Sequence, residues 1–146
     1  MTTKKTSPLK KLNFLIGKWH TEGEILQAAS NHSNIIRGMD SYEWVAGEFF
    51  ILHRVDVFMG KQRTEVIEII GYDENRKCYF MSSFDNEGKS VTMYAALEKS
   101  GVLKLGDKKM RSVLTANKNG KSMSAKWELS ENGKTWQPWM NLKFSK

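Results

Sequence analysis

The chain has 146 residues, a length at which one domain can bury a substantial core, and its single cysteine, Cys78, excludes an internal disulfide and a cysteine-based zinc site. With 23 Lys and Arg against 16 Asp and Glu, the net charge is +7 and the isoelectric point is near 9.5, yet no block of basic residues marks a nucleic-acid-binding stripe. The apolar run at residues 12–16 is too short for a secretory leader, and no run approaches membrane-spanning length. We therefore expect a cytoplasmic protein with one domain over residues 1–146, a disordered tail at 1–6, no nucleic acid as partner and no membrane-spanning segment.

The N-terminal stretch carries a helix signal. Ser7 is a typical N-cap, Pro8 suits the first helical position, and Leu9 and Leu12 follow at near-helical spacing. Gly17 interrupts the pattern. The stretch predicts one short helix before residue 17.

From Gly17 onwards, turn signals recur about every 8 to 15 residues. Asn-Gly pairs such as those at 119–120 and 132–133 favour tight hairpins because both residue types tolerate positive φ. The spacing predicts about ten strands in up-and-down order. An open sheet of that size would expose its edges, so we predict an all-β fold, a single antiparallel β-barrel closed on itself.

The strand entered at Gly17 has two different faces. His20, Glu22 and Glu24 alternate with Trp19 and Thr21, so the polar trio shares one side of the strand and the indole takes the other. If Trp19 faces the interior, the trio faces water and cannot converge on a metal. We interpret this strand as part of the architecture and predict no metal site.

Alternation identifies the interior faces of later strands. The residues that it assigns to the interior are Ile67 and Ile69; Val91, Met93, Ala95 and Leu97; Met123, Ala125, Trp127 and Leu129; and Trp136, Pro138, Met140, Leu142 and Phe144. Pro138 falls in the last strand, and since proline cannot donate to a ladder, it predicts a bulge or an unpaired position.

Three motifs occur in order along the chain: Leu12-Asn13-Phe14-Leu15-Ile16-Gly17-Lys18-Trp19, Gly71-Tyr72-Asp73 and Asn132-Gly133-Lys134-Thr135-Trp136. Together they resemble the lipocalin-like (calycin-type) barrels, in which Gly-x-Trp opens the first strand and the indole closes the barrel base. More specifically, the chain is similar to a bacterial family of lipocalin-like domains of unknown function, related in shape to fatty-acid-binding proteins and nitrobindins. The resemblance supports the predicted barrel fold and implies little about the function, because most members of this family have no assigned activity.

Nitrobindins bind haem through a histidine on a late strand, and this chain departs from them at that point. Its histidines are His20, His32 and His53, and none follows His53. We therefore expect neither haem nor another cofactor.

His53 is the most informative polar residue of the mid-chain strand, residues 49–58, which is apolar on both faces. Facing inward with Ile51 and Val55, a neutral imidazole could orient a polar head group or act as a base; the alternative is a core histidine satisfied by a neighbouring group. In the opposite register Arg54 is the internal cation, and a carboxylate ligand follows.

Aromatic and methionine side chains fall on most of the predicted strands, and they suit either a hollow interior that adapts to a ligand or a filled one. No catalytic signature is present. The predicted function is the binding of a small hydrophobic or amphipathic molecule. Two alternatives are an enzyme that pairs His53 with Glu43 or Glu68, and a structural or protein-binding module. The sequence is also compatible with a homodimer. The predicted ligand-binding residues are Tyr42, Trp44, His53, Arg54, Tyr79, Met93, Tyr94 and Trp127.

Overall fold

The computed structural model describes residues 7–26 and 34–146; the expected tail at 1–6 and the turn containing His32 lie outside these residues. Ten antiparallel strands form a closed barrel in which each strand pairs with its neighbours in the chain, and β1 pairs with β10. This confirms the predicted all-β, up-and-down barrel. The strands are Gly17–Ile25 (β1), Ile35–Val45 (β2), Phe50–Met59 (β3), Gln62–Asp73 (β4), Cys78–Asp85 (β5), Ser90–Lys99 (β6), Val102–Gly106 (β7), Met110–Ala116 (β8), Ser122–Leu129 (β9) and Gln137–Ser145 (β10).

The predicted N-terminal helix is a 3₁₀ helix over Pro8–Leu15. Ser7 caps it, since the Ser7 hydroxyl accepts a hydrogen bond from the N–H of Leu9 at 3.2 Å. Leu9, Leu12 and Leu15 are buried against the barrel. The helix therefore covers one end of the barrel with its apolar side. Within the described residues, no helix is long and apolar enough to cross a membrane.

Two hydrogen bonds fasten the helix to the strands beneath it. The Tyr79 hydroxyl donates to the carbonyl oxygen of Pro8 at 2.7 Å. The Trp44 indole N–H donates to Oδ1 of Asn13 at 3.1 Å. The helix is thus held to β2 and β5 by specific bonds as well as by its leucines.

Strand β1 has the two faces that its sequence predicts. Trp19 and Thr21 are buried, and His20, Glu22 and Glu24 are exposed. The Trp19 indole N–H donates to the carbonyl oxygen of Leu15 at 2.7 Å, which ties the strand to the helix. Gly17 has φ +134°, a conformation that favours glycine, so the Gly-x-Trp sequence fixes how the chain turns from helix to strand.

Strand β4 corrects the predicted alternation. The prediction that Ile67 and Ile69 face the interior is wrong, because Val66, Glu68 and Ile70 line the inside and Ile67 is 45% exposed. The strand is apolar on both faces, so the apolar pattern alone fits either orientation. Pairing decides the orientation: Glu68 lies opposite His53 on β3.

Strand β10 contains the irregularity predicted from Pro138. The register with β9 shifts between Pro138 and Met140, which confirms the bulge. As a result both Trp139 and Met140 line the interior, whereas Trp136 and Pro138, which are predicted on the same face as Met140, do not. One extra residue in this strand therefore adds a second large side chain to the inner wall.

Candidate ligand cavity

The barrel encloses a cavity of about 250 Å³. Leu15 of the helix lines it at the covered end, and the rest of its wall is mostly aliphatic, methionine and tryptophan side chains. The apolar part of the wall comprises Ile36, Val55, Val57, Met59, Val66, Ile70, Met81, Val91, Met93, Leu103, Leu105, Met110, Leu114, Ala125, Trp127, Trp139, Met140, Leu142 and Phe144.

One polar cluster interrupts this apolar wall, and the imidazole of His53 is its centre. Nε2 of His53 lies 2.7 Å from Oδ2 of Asp40, and Nδ1 lies 2.9 Å from Oε1 of Glu68. The Thr21 hydroxyl donates to Oδ1 of Asp40 at 2.5 Å. The Tyr42 ring stacks on the imidazole with a centroid distance of 3.9 Å and an interplanar angle of 7°. We call these five residues the carboxylate–histidine cluster.

Strand register brings the cluster together. Tyr42 on β2 lies opposite His53 on β3, which lies opposite Glu68 on β4. Asp40 precedes Tyr42 by two residues and therefore shares its inward face. Thr21 reaches Asp40 from β1, so four consecutive strands around the barrel each contribute to the cluster.

A glycine in β2 keeps the strands close beside the cluster. Gly38 has φ +158°, and a Cβ atom there would lie 2.2 Å from the carbonyl oxygen of Asp56 on β3. That oxygen belongs to the backbone and cannot move aside cheaply. A side chain at this position would separate β2 from β3 next to the bond between Asp40 and His53.

The two carboxylates keep His53 charged. Burial alone lowers the pKa of an imidazole, but the hydrogen bonds and charges of Asp40 and Glu68 outweigh it and raise the pKa of His53 from 6.5 to about 9. Burial, and then the charges of Asp40 and Glu68, raise the pKa of Tyr42 well above its usual value, so its phenol is neutral. The cluster thus holds an imidazolium between two acids at neutral pH.

This geometry limits what His53 can do. An imidazolium that donates from both ring nitrogens has no lone pair with which to accept a proton or bind a metal. Within residues 7–26 and 34–146, no group of three or more His, Cys, Asp or Glu side chains is arranged to hold a metal ion. The cluster is therefore arranged to present fixed charge and hydrogen-bonding atoms to the cavity.

Four of the eight predicted ligand-binding residues line the cavity: Tyr42, His53, Met93 and Trp127. Trp44 and Tyr79 lie at the covered end, where they hold the helix. Arg54 and Tyr94 are exposed on the outside of the barrel, and Tyr94 lies under the guanidinium of Arg76 at 4.9 Å. Because His53 faces inward, the alternative register with Arg54 as the internal cation is not the one observed.

Asp40, Thr21 and Ser112 line the cavity but were not among the predicted residues. Their signal is present in the sequence, since Asp40 lies two residues before Tyr42 and Thr21 two residues after Trp19. A polar residue two positions from an inward aromatic residue on the same strand shares its face. Of the two carboxylates considered as partners of His53, Glu68 contacts it and Glu43 is exposed.

The fold and the cavity place the chain among closed antiparallel β-barrels with an internal cavity. Its sequence matches, over residues 4–146, the family described as "Protein of unknown function (DUF1579)", and the chain belongs to that family. The matched region contains all three motifs at residues 12–19, 71–73 and 132–136. Among solved structures, the chain is similar to the crystal structure of Rv2717c from M. tuberculosis, with 12% identity, a TM-score of 0.69, and coverage of 97% of this chain and 99% of that one. This likeness is one of fold. None of the curated proteins compared with the chain matches it.

Proposed function

We propose that the protein binds a small hydrophobic or amphipathic molecule inside the barrel. The observation that carries the proposal is the cavity of about 250 Å³ inside the barrel, whose wall is mainly apolar and contains the carboxylate–histidine cluster and a few hydroxyl groups. Ligand sites in proteins have this composition: a mainly apolar lining gives affinity, and a few convergent polar groups fix orientation.

The cavity volume sets the size of the molecule. A dry apolar cavity of about 150 Å³ holds benzene, so a cavity of about 250 Å³ accommodates roughly ten non-hydrogen atoms. This is smaller than a long-chain fatty acid. Five methionines in the wall, Met59, Met81, Met93, Met110 and Met140, allow it to adjust to ligands of different shape.

Calorimetric titration with octan-1-ol, which has about nine non-hydrogen atoms, tests the proposal. We expect one molecule to bind per barrel with a dissociation constant in the micromolar range. Ala125 lines the cavity, so Ala125→Leu places three further carbon atoms in it and should weaken binding about tenfold or more. Ala96→Leu makes the same change on the exposed face of β6 and should leave binding unchanged.

Failure of octan-1-ol and a panel of similar apolar molecules to bind contradicts the proposal and favours a structural or protein-binding module. Native mass spectrometry of protein purified from its own cells is a separate test, because a natural ligand that co-purifies adds its mass to that of the intact chain.

A further inference from the structure

The charge of the cavity wall is unbalanced. Its titratable side chains are Asp40, Tyr42, His53 and Glu68, and none of the described residues that line it is Lys or Arg. Its two carboxyl groups share one imidazole, so the acidic side chains of the wall outnumber its basic ones by two to one. An unbalanced charge in an apolar interior is costly unless a counter-charge neutralises it.

One carboxylate oxygen of the cluster lacks a hydrogen-bond partner among the described residues, and it belongs to Glu68, which lines the cavity. Both oxygens of Asp40 accept hydrogen bonds, one from Thr21 and one from His53. Oε1 of Glu68 accepts from His53. Oε2 of Glu68 has no partner among the described residues, although the residue is only 7% exposed. A hydrogen-bond donor of a molecule in the cavity can therefore bind Oε2 of Glu68.

A second polar atom in the same wall also lacks a partner. Ser112 is 2% exposed, and its fully buried hydroxyl has no hydrogen-bond partner in the part of the chain that the structure describes. It belongs to β8, which lies five strands from β3 in either direction around the ring, on the side of the barrel opposite His53. An unsatisfied buried hydroxyl costs free energy, and a molecule in the cavity can supply its partner.

We propose that the molecule bound in the barrel is a small primary amine, whose protonated amino group donates to Oε2 of Glu68 while its apolar body occupies the methionine-rich wall. The assignment rests on the proposed function and adds the chemical class of the ligand. A carboxylate ligand adds a second negative charge in a region of low dielectric constant with no Lys or Arg to receive it. A neutral alcohol fills the space but leaves the charge of the cluster unbalanced.

Three ligands of matched length and different head group test the assignment by calorimetric titration at pH 7: octylamine, octan-1-ol and octanoate. We expect octylamine to bind wild-type protein at least about tenfold more tightly than octan-1-ol, because an ion-paired hydrogen bond is stronger than a neutral one, and octanoate to bind most weakly. This ranking is measured on the unmodified protein and needs no variant.

Two variants of the same strand then locate the effect. Glu68→Gln should reduce the affinity for octylamine about tenfold or more and remove its preference over octan-1-ol, both ligands being measured on the same variant. Glu65→Gln is the matched control, since Glu65 is exposed on the outer face of β4 and bridges to Arg63 at 3.1 Å. It should preserve the preference for the amine.

The outcomes separate the two proposals. Octanoate binding as tightly as octylamine to the wild type, or a preference for octylamine that persists in Glu68→Gln, overturns the amine assignment while octan-1-ol binding still supports a ligand-binding barrel. If none of the three molecules binds the wild type, the proposed function fails together with the assignment.

Discussion

His53 connects the two carboxylates that give the inner wall its charge. Its ring nitrogens lie 2.7 Å from Asp40 and 2.9 Å from Glu68, and the Tyr42 ring covers one of its faces. The imidazolium therefore holds two like charges in place beside one another and reduces their repulsion. At the scale of one residue, its role is to position Asp40 and Glu68.

The charge state of His53 predicts how stability depends on pH. The pKa of His53 is about 9 in the folded protein and near 6.5 in the unfolded chain, so the protonated side chain stabilises the fold fully below pH 6.5. This stabilisation, on the order of 3 kcal/mol, is lost as the pH rises from 6.5 through 9. Urea denaturation at several pH values from 6 to 10 measures the free energy of unfolding.

His53→Gln removes the titrating group and provides the comparison. Between pH 6.5 and 9, the free energy of unfolding of this variant should fall by less than that of the wild type, and the difference should be on the order of 3 kcal/mol. Parallel pH curves for the two proteins contradict the assignment of an imidazolium. Nitrogen NMR at pH 7.5 gives an independent measurement, because both ring nitrogens of His53 should carry protons.

The sequence identifies His53 as a candidate inward residue, but it leaves the choice between His53 and Arg54 open and does not show what surrounds the imidazole. His53 is a polar residue in an apolar strand, which indicates a special role. Asp40 and Glu68 are carboxylates, and a carboxylate in a strand is ordinarily assigned to the solvent face. Only the pairing of β2 and β4 with β3 shows that both acids face the same imidazole. Such pairing joins residues 13 and 15 positions apart in the chain, which alternation within one strand cannot detect.

At the scale of secondary-structure elements, Trp19 joins the helix to the barrel. Its side chain is fully buried, its indole N–H donates to Leu15, and Nζ of Lys146 lies 4.6 Å from its ring centroid. Trp19→Ala should therefore lower the free energy of unfolding by about 3 to 5 kcal/mol, a large part of the stability of a typical domain. Chemical denaturation measures the change.

His20→Ala and Glu22→Ala are the matched controls, because both residues are exposed on the opposite face of β1. Each should change the free energy of unfolding by no more than about 0.5 kcal/mol. A Trp19→Ala variant as stable as these two contradicts the conclusion that Gly-x-Trp fixes the covered end of the barrel.

Elements differ in how far their sequence determines their orientation. In β1 and β9, one face is apolar and the other polar, and the observed faces are those predicted except at Leu129, the last residue of β9, which is 37% exposed. In β4, the sequence Val66-Ile67-Glu68-Ile69-Ile70 is apolar on both faces, and only the neighbouring strand selects which face is inside. In β10, Pro138 predicts the bulge, but the consequence that Trp139 joins Met140 on the inner wall depends on where the register shifts.

At the scale of the whole molecule, net charge and cavity charge have opposite signs. The chain carries +7, which by itself suits an anionic partner, yet none of the described residues that line the cavity is Lys or Arg. Turn spacing predicts the number of strands because each hairpin is local. The charge of the cavity wall and the volume of the cavity depend on side chains from all ten strands together, so no single segment predicts them.

The antiparallel pairing of β1 with β10 has a consequence for the order of the chain. The order of strands around the barrel is their order in the sequence, so the chain could begin at any strand of the ring. Lys146 already lies beside the start of β1, with its Nζ 3.0 Å from the carbonyl oxygen of Ile16. One circular permutant joins Lys146 to the N-terminal segment through about ten Gly/Ser residues and has its new ends in the exposed turn, between Glu87 and Gly88. We expect it to fold and to bind octan-1-ol with an affinity within about threefold of the wild type. Circular dichroism and calorimetry measure both properties. A second permutant, opened within β3 between His53 and Arg54, should fail to fold because it interrupts a paired strand. If both permutants fold equally well, the conclusion that strand pairing holds the barrel together is wrong.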